Sequence, residues 1–307
     1  MRANARPIAK AAHPARELKL KKLRIRWVPI LFLLPSIVAY SMFKYYPVLN
    51  MMYISLFDYR IADPPGPFVW FRNYTEFLMS RSFWNAIKNT FVFFLLYTLL
   101  TFWVPIVQAL FLSAIRRGRG FLKFMYQIPT ILPAVAGVLV WKWMYNPDRG
   151  LLNYWLSKVG LGPYGWLNDL AITKLAIVLP AFFAGSGISV LLYYAAIRSI
   201  PAELHEAAKI DGAGPWHRLF SIVLPNIGFL IAIQFVGFMS SILLAFDNIY
   251  VMTQGGPADS TMVVSLLVMK SAFQQNRFGV TGAMSFFMLV IIAILTVIQQ
   301  KLSQERE

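Results

Sequence analysis

Glu206-Ala207-Ala208, then Gly212, then Ile222-Val223-Leu224-Pro225 lie in a polar break between two long apolar segments. These residue types suit the docking of a partner surface rather than the making or breaking of bonds. Pro201 sits where a first helical turn tolerates proline, and Gly212 and Gly214 stop what it starts, so the spacing predicts a short helix of about three turns. Within it Leu204, Ala207, Ala208 and Asp211 recur at spacings of three and four, which puts a small-residue strip on one face and Glu203, Glu206 and Lys209 towards another. Small residues let a partner approach closely. Pro215-Trp216-His217-Arg218-Leu219-Phe220 then restarts a helix that feeds directly into the next apolar run, so a force on the short helix would reach that run.

Other chemistry is excluded residue by residue. The absence of cysteine removes disulfides, thiol nucleophiles and thiolate metal sites, and the three histidines, His13, His205 and His217, form no ligand cluster. No Gly-x-x-x-x-Gly-Lys-Ser/Thr phosphate cradle occurs, because Gly118-Arg119-Gly120 and Gly212-Ala213-Gly214 lack both the lysine spacing and the strand context. The acids are scattered over loops, with no Ser/His/Asp set beside them. The chain is therefore expected to be no enzyme, with no catalytic, cofactor-binding or metal-binding residue of its own.

The elements that must position the docking segment are dictated by hydrophobicity. Of the residues 58% are hydrophobic and only 14% charged, and the mean hydropathy is positive. Apolar runs of roughly twenty residues, the length that crosses a bilayer, occur at about Trp27–Leu49, Asn89–Ile115, Phe124–Tyr145, Ile172–Ile197, Ile222–Phe246 and Thr281–Gln299. Met262–Phe273 is also apolar but too short to span, and is expected to be an interfacial or protein-buried helix.

Lysine and arginine placement sets the orientation. The first 26 residues hold nine of them against one acid, Glu17, and Arg116, Arg117, Arg119 and Lys123 crowd the second-to-third connection. Both places are expected to be cytoplasmic, and with them the Glu206 loop and the C-terminus. The net charge of +16 follows from that clustering, which argues against a nucleic-acid partner. The first apolar run is longer than a secretory core and lacks a small-residue cleavage pattern, so it is expected to be a span and not a signal peptide. The one segment with a disordered composition is Met1 to about Arg16.

The full spacing, E-A-A, three residues, G, nine residues, I-x-L-P, sharpened by Asp211-Gly212-Ala213, resembles the loop that marks the membrane subunits of binding-protein-dependent ABC importers. Asn73-Tyr74, Phe83-Trp84 and Asn89-Thr90 resemble the stretch before that family's second span, although an aromatic belt explains them without a ligand. Phe246-Asp247, Ile249-Tyr250 and Thr253-x-Gly255-Gly256-Pro257, with Thr261, Ala272-Phe273 and Phe278-Gly279, resemble the sugar-transporting branch, of maltose type. The Gly-Gly-Pro is by itself a turn signal. The chain departs from the common form at Val280-Thr281-Gly282-Ala283, where Tyr-Ala-Ala-Ala is more usual.

Along the fourth run Gly185, Ser186, Gly187 and Ser189, and along the fifth Gln234, Gly237, Ser240 and Ser241, suit close helix packing. The competing reading is a mid-membrane sugar site, with Phe182 and Phe238 as faces on which a ring could stack. Alignment on maltose-type relatives puts Ala181, Ala184, Gly185 and Ile188, with Phe238, Ser241, Ile242 and Ala245, at lining positions. Of these only Gly185 is retained, which argues against a maltose-like specificity. Asp247 is the one acid near a span, and its place at the outer end favours helix-end hydrogen bonding over ion coupling.

The resemblance implies an all-α integral membrane protein of six transmembrane helices with the type I ABC importer permease fold. It divides into a basic arm 1–26, a first span with an outer interfacial segment 27–84, a permease core 85–299 holding five spans and a coupling loop 198–222, and a tail 300–307. Glu203, Glu206, Ala207, Ala208, Asp211, Gly212 and Ala213 would couple to the ATPase. Phe182, Gly185, Ser189, Phe238 and Ser241 would line the substrate path.

The implied partners are a second homologous permease, two cytoplasmic ATP-binding subunits that hold ATP and magnesium, and an extracytoplasmic solute-binding protein, with a mono- or oligosaccharide as cargo. The setting would be a prokaryotic plasma membrane with both termini cytoplasmic. An ion-coupled secondary transporter working without an ATPase is the alternative, and would need an ion site near the bilayer centre. A membrane-anchored signalling or scaffold protein, in which the mid-span polar residues serve packing alone, is a third class.

Overall fold

The computed structural model describes residues 27–61, 66–184 and 187–304, so the basic arm 1–26, residues 62–65, the pair Gly185 and Ser186 and the last residues 305–307 lie outside the described residues. The described chain is helical, with one isolated bridge between Phe57 and Phe68. Helix α1 (Trp27–Tyr40) passes through a π turn at Ser41–Tyr45 into α2 (Tyr46–Ile54). Then follow α3 (Arg72–Met79), α4 (Arg81–Leu100), α5 (Val104–Ala114), α6 (Arg119–Ile131), α7 (Ala134–Met144) and α8 (Leu151–Lys158). The second half holds α9 (Thr173–Ala184), α10 (Gly187–Arg198), α11 (Ala202–Ile210) and α12 (Pro215–Arg218), a π turn at Leu219–Val223, then α13 (Leu224–Leu243), α14 (Asp247–Met252), α15 (Val264–Phe273) and α16 (Phe278–Gln304). The described residues up to Val48 and those from Leu49 onward form two separate compact units.

Among the described residues three helical stretches are long and apolar enough to cross a membrane: Arg81–Ala114, Pro215–Met252 and Phe278–Lys301. Two bent pairs, α6 with α7 at 90° and α9 with α10 at 54°, bring the number to five if each pair is one span. The sequence predicts the third run as a single helix, and the structure breaks it at Leu132-Pro133. Proline removes a ladder donor and keeps its predecessor out of the helical region, which ends α6 there. Val264–Phe273 is the short apolar helix the sequence predicts, packed between α4 and α16.

Prolines also explain finer features. Pro105 has no N–H to offer the carbonyl of Thr101, and the chain opens into a turn at Thr101–Trp103, where the Val104 N–H takes that carbonyl at 3.2 Å. The π turn at Leu219–Val223 ends two residues before Pro225, widening the backbone where the ring would crowd it. Pro180, inside α9, leaves the carbonyl of Ala176 without its helical donor, and the buried Tyr145 hydroxyl donates to it at 2.7 Å. In a bilayer such a carbonyl has no water to turn to. Tyr145→Phe should therefore cost about 1–3 kcal/mol, the penalty of an unpaired buried acceptor. Thermal unfolding of the purified complex checks this, and an unchanged melting temperature would refute it.

Two apolar cores result. One gathers Phe83, Phe93, Val264, Leu266 and Ala283, the other Phe102, Ile106, Leu112, Val190 and Ile227, and Phe238 packs against both. Two of the family-like pairs turn out to hold fasteners. Asn73 donates to the carbonyls of Ser55 and Phe57 at 2.7 and 2.8 Å. Asn89 donates to those of Asp259 and Met262 at 2.9 and 3.0 Å, tying α4 to the Gly-Gly-Pro turn. That turn is closed by Thr261, which donates to the Gly256 carbonyl at 2.7 Å and meets the Thr253 hydroxyl at 2.8 Å. The departure at Val280-Thr281-Gly282-Ala283 also has a physical reason: a Cβ on Gly282 would lie 2.8 Å from the Met51 carbonyl oxygen, and one on Gly279 2.1 Å from that of Phe57. Both glycines let the 51–59 segment lie directly on α16.

Candidate functional site

Helix α11 forms where the sequence places it, with Pro201 at its N-cap instead of inside the first turn. Its other end is a closed left-handed cap. Asp211 is the C-cap, Gly212 takes φ +75°, the Gly212 N–H donates to the Lys209 carbonyl at 3.1 Å and the Ala213 N–H to that of Ala208 at 2.8 Å. This pair of bonds satisfies two of the terminal carbonyls, and only glycine enters that backbone region without strain. Gly214 then caps α12, with Pro215 as its first residue. From Pro215 the chain is helical without interruption through the π turn and α13, so the helix begins seven residues before the predicted Ile222. The second half of the loop is thus one rod with that span.

No residue of α11 is buried. Glu203, Glu206 and Ala207 are exposed, while Ala208 and Ala213 are half-covered and, with Asp211, Gly212, His217 and Ser221, line a groove of about 490 Å³. Around the helix large apolar side chains stand free: Leu204, Ile210 at 87% and Trp216 at 73% exposure, and Phe220 stacked on Trp216 with ring centroids 6.3 Å apart. Apolar surface of this kind on a polar loop marks a contact face.

The second feature is a cavity of about 470 Å³ where the turn between α4 and α5 meets α9, α10 and α13. Interrupted helices at membrane depth occur where they line such a space. Its wall holds Tyr97, Thr101 and Phe102 from α4 and the turn after it, Ala181, Ser189 and Tyr193 from α9 and α10, and Gln234, Gly237, Phe238, Ser241, Ile242 and Ala245 from α13 and its C-terminal end. The Gln234 amide donates to the Ser189 hydroxyl at 2.9 Å, and the Ser241 hydroxyl donates back to the Phe238 carbonyl at 2.7 Å. Phe102 and Phe238 meet at a 5.2 Å centroid separation.

Of the predicted path residues, Ser189, Phe238 and Ser241 line this cavity. Phe182 does not; it is 43% exposed and meets Phe183 edge-on. Gly185 lies outside the described residues. Of the positions transferred by alignment, Ala181, Phe238, Ser241, Ile242 and Ala245 are on the wall, and Ile188 is exposed instead. Tyr97, Thr101, Phe102 and Tyr193 were not foreseen. The break that Pro105 makes in the second span is the signal that could have found the first three. Asp247 is the exposed first residue of α14, a favourable place for a negative charge. Among the described residues no group of three His, Asp or Glu could hold a metal.

Residues 116–306 match the family described as the binding-protein-dependent transport system inner membrane component. The chain is 32% identical, over 87% of its length and 92% of the other's, to a probable ABC transporter permease protein of Pyrococcus horikoshii. It is 31% identical, over 94% of its length and 97% of the other's, to the trehalose/maltose transport system permease protein of Thermococcus litoralis. Its fold matches a chain in the crystal structure of a bacterial ABC transporter involved in the import of the acidic polysaccharide alginate, with a TM-score of 0.79, 25% identity and coverage of 91% of this chain and 96% of that one.

Proposed function

The chain belongs to the family of binding-protein-dependent transport system inner membrane components, and from that premise we propose that it is the permease subunit of an ATP-driven carbohydrate importer. The observation that carries the mechanism is α11, a helix without a single buried residue, set between two of the helices that wall the cavity. ATP and magnesium act in two cytoplasmic partner subunits. Closure of those subunits moves α11. The cap at Gly212 passes the motion to the rod that starts at Pro215, and α10 and α13 rock so that the cavity opens to one side of the membrane and then the other. A second permease chain completes the passage, and an extracytoplasmic binding protein delivers the sugar.

In this assignment Glu203, Glu206, Ala207, Ala208, Asp211, Gly212 and Ala213 form the coupling surface, and Ser189, Phe238 and Ser241 belong to the path. The basic arm, the second-to-third connection, the loop and the C-terminus face the cytoplasm of a prokaryotic cell. The domain division is that of the sequence: arm 1–26, first span and outer segment 27–84, core 85–299 with six spans in all, and tail 300–307. The ion-coupled alternative is disfavoured by the cavity wall, which among the described residues holds no carboxylate or other charged side chain. The direct test is disulfide trapping. Cysteine introduced at the exposed Ala207 should cross-link to a cysteine in the groove of the ATPase subunit in the assembled complex, and the yield should change on adding ATP. No cross-link from any position in 203–213 would sink the coupling assignment.

A further inference from the structure

The corner where α5 hands over to α6 carries Arg116, Arg117, Arg119 and Lys123, in a stretch with no aspartate or glutamate between Glu76 and Asp148. Two of these cations are held in place. Arg119 donates from Nε and Nη2 to the carbonyl of Ile115, the C-cap of α5, at 3.1 and 2.6 Å. Its guanidinium carbon stands 5.9 Å from the centroid of the Tyr194 ring on α10, and the Lys123 ammonium stands 4.2 Å from the same centroid. A ring face attracts a cation, but it does not neutralise two that repel each other across it. Among the described residues the ion pairs join Arg60 and Arg72 to Asp58 and Arg277 to Glu76, and none involves this corner.

The flank of the same helix is apolar. Phe121, Phe124, Ile128 and Ile131 recur at spacings of three, four and three, so they form one stripe that runs along α6 away from its basic end. Phe121, Phe124 and Ile131 are exposed and Ile128 is half-covered. Cations at the end of two packed helices, with a bare apolar stripe beside them, match a molecule that has an anionic head and hydrocarbon tails. Topology alone accounts for basic residues at a helix end. It does not account for two of them fixed on one ring where α6 packs along α10.

Going beyond the transport assignment and resting only on the membrane setting, we propose that the corner shared by α6 and α10 binds an anionic phospholipid. Its phosphate sits between Arg119 and Lys123, and its acyl chains lie along the Phe124 stripe. A soluble acidic partner would satisfy the cations and leave the stripe bare. Tyr194 is one turn before Arg198, the last residue of α10, and Pro201 follows three residues later. The lipid therefore pins α6 to the helix that leads into the 198–222 loop.

The test uses the whole complex, purified in detergent with its partner subunits. Dioleoyl phosphatidylglycerol and dioleoyl phosphatidylcholine are titrated in, bound lipid is followed by native mass spectrometry, and the melting temperature is measured alongside. Phosphatidylglycerol should bind more tightly and raise the melting temperature. Lys123→Gln and Arg119→Gln should each weaken that binding about fivefold, the worth of one basic side chain at a charged surface. Lys123→Arg keeps the charge and the ring contact and should bind like the wild type, and so should Lys301→Gln, which removes a cation from a different helix. Equal binding of the two lipids, or as large a loss from Lys301→Gln as from Lys123→Gln, would overturn the proposal and leave the corner a topological signal. Stabilisation by inorganic phosphate without lipid would show an ion site instead. No bound lipid at all would mean that a partner subunit covers the corner, which also overturns it. Since no transport is measured, failure here leaves the importer reading standing, and failure of the importer reading leaves this result unchanged.

Discussion

Replacing Gly212 with proline should abolish ATP-driven uptake while the complex still assembles in the membrane. Gly212 sits at φ +75° and gives its N–H to the Lys209 carbonyl. Proline holds φ near −65° and has no N–H, so the substitution removes one of the two cap bonds and turns the backbone out of the left-handed region. The cost at this position is at least about 3 kcal/mol, and it falls on the junction between α11 and the rod that begins at Pro215. Gly212→Ala separates conformation from crowding. No atom lies within 4 Å of where its Cβ would stand, so alanine costs only the left-handed backbone, about 1–2 kcal/mol. Uptake should therefore fall in the order glycine, alanine, proline, with ATP hydrolysis by the assembled complex losing its response to sugar-loaded binding protein in the same order. Wild-type uptake by the proline variant would remove the coupling role from this loop.

The loop was legible because its signals are local. Pro201, Gly212, Gly214 and Pro215 each fix a backbone angle or remove a donor whatever surrounds them: α11 and α12 start within a residue of the two prolines, and α11 ends two residues before Gly212. The cavity was half legible. Alignment on the two marked loops found Phe238 and Ser241, and the small polar residues of the fourth apolar run gave Ser189. The wall from the second span needed the helix break at Thr101–Trp103, a tertiary consequence of Pro105 that hydropathy cannot register. Asn89 and Tyr145 were opaque for another reason: their partners are backbone carbonyls 31 to 173 positions away, and a carbonyl leaves no mark in a sequence. Phe182 lies on the same α9 as Ala181 but does not line the cavity, since periodicity alone does not fix which way a side chain on a bent helix pair turns.

Gly187→Ala is expected to be the most damaging single-methyl change among the described residues of α9 and α10. A Cβ there would lie 2.4 Å from the Tyr126 carbonyl oxygen and 2.9 Å from the Gln127 side-chain nitrogen. The nearer obstacle is the backbone of α6, which cannot turn aside as a side chain can, so the two helices must separate. Overpacking of this kind costs about 1–3 kcal/mol. The effect is not confined to stability, because α10 carries Ser189 and Tyr193 on the cavity wall and ends at Arg198, three residues before the Pro201 that opens the coupling loop. Prying α10 from α6 at its first residue displaces the cavity and the docking helix together, so melting temperature and sugar-stimulated ATP hydrolysis should both drop. Gly228→Ala is the control: no atom lies within 4 Å of its Cβ, and it should match the wild type in both measurements. A Gly187→Ala complex that melts and transports like the wild type would show that α6 yields at this crossing, and that α10 does not transmit motion between the loop and the cavity as a rigid element.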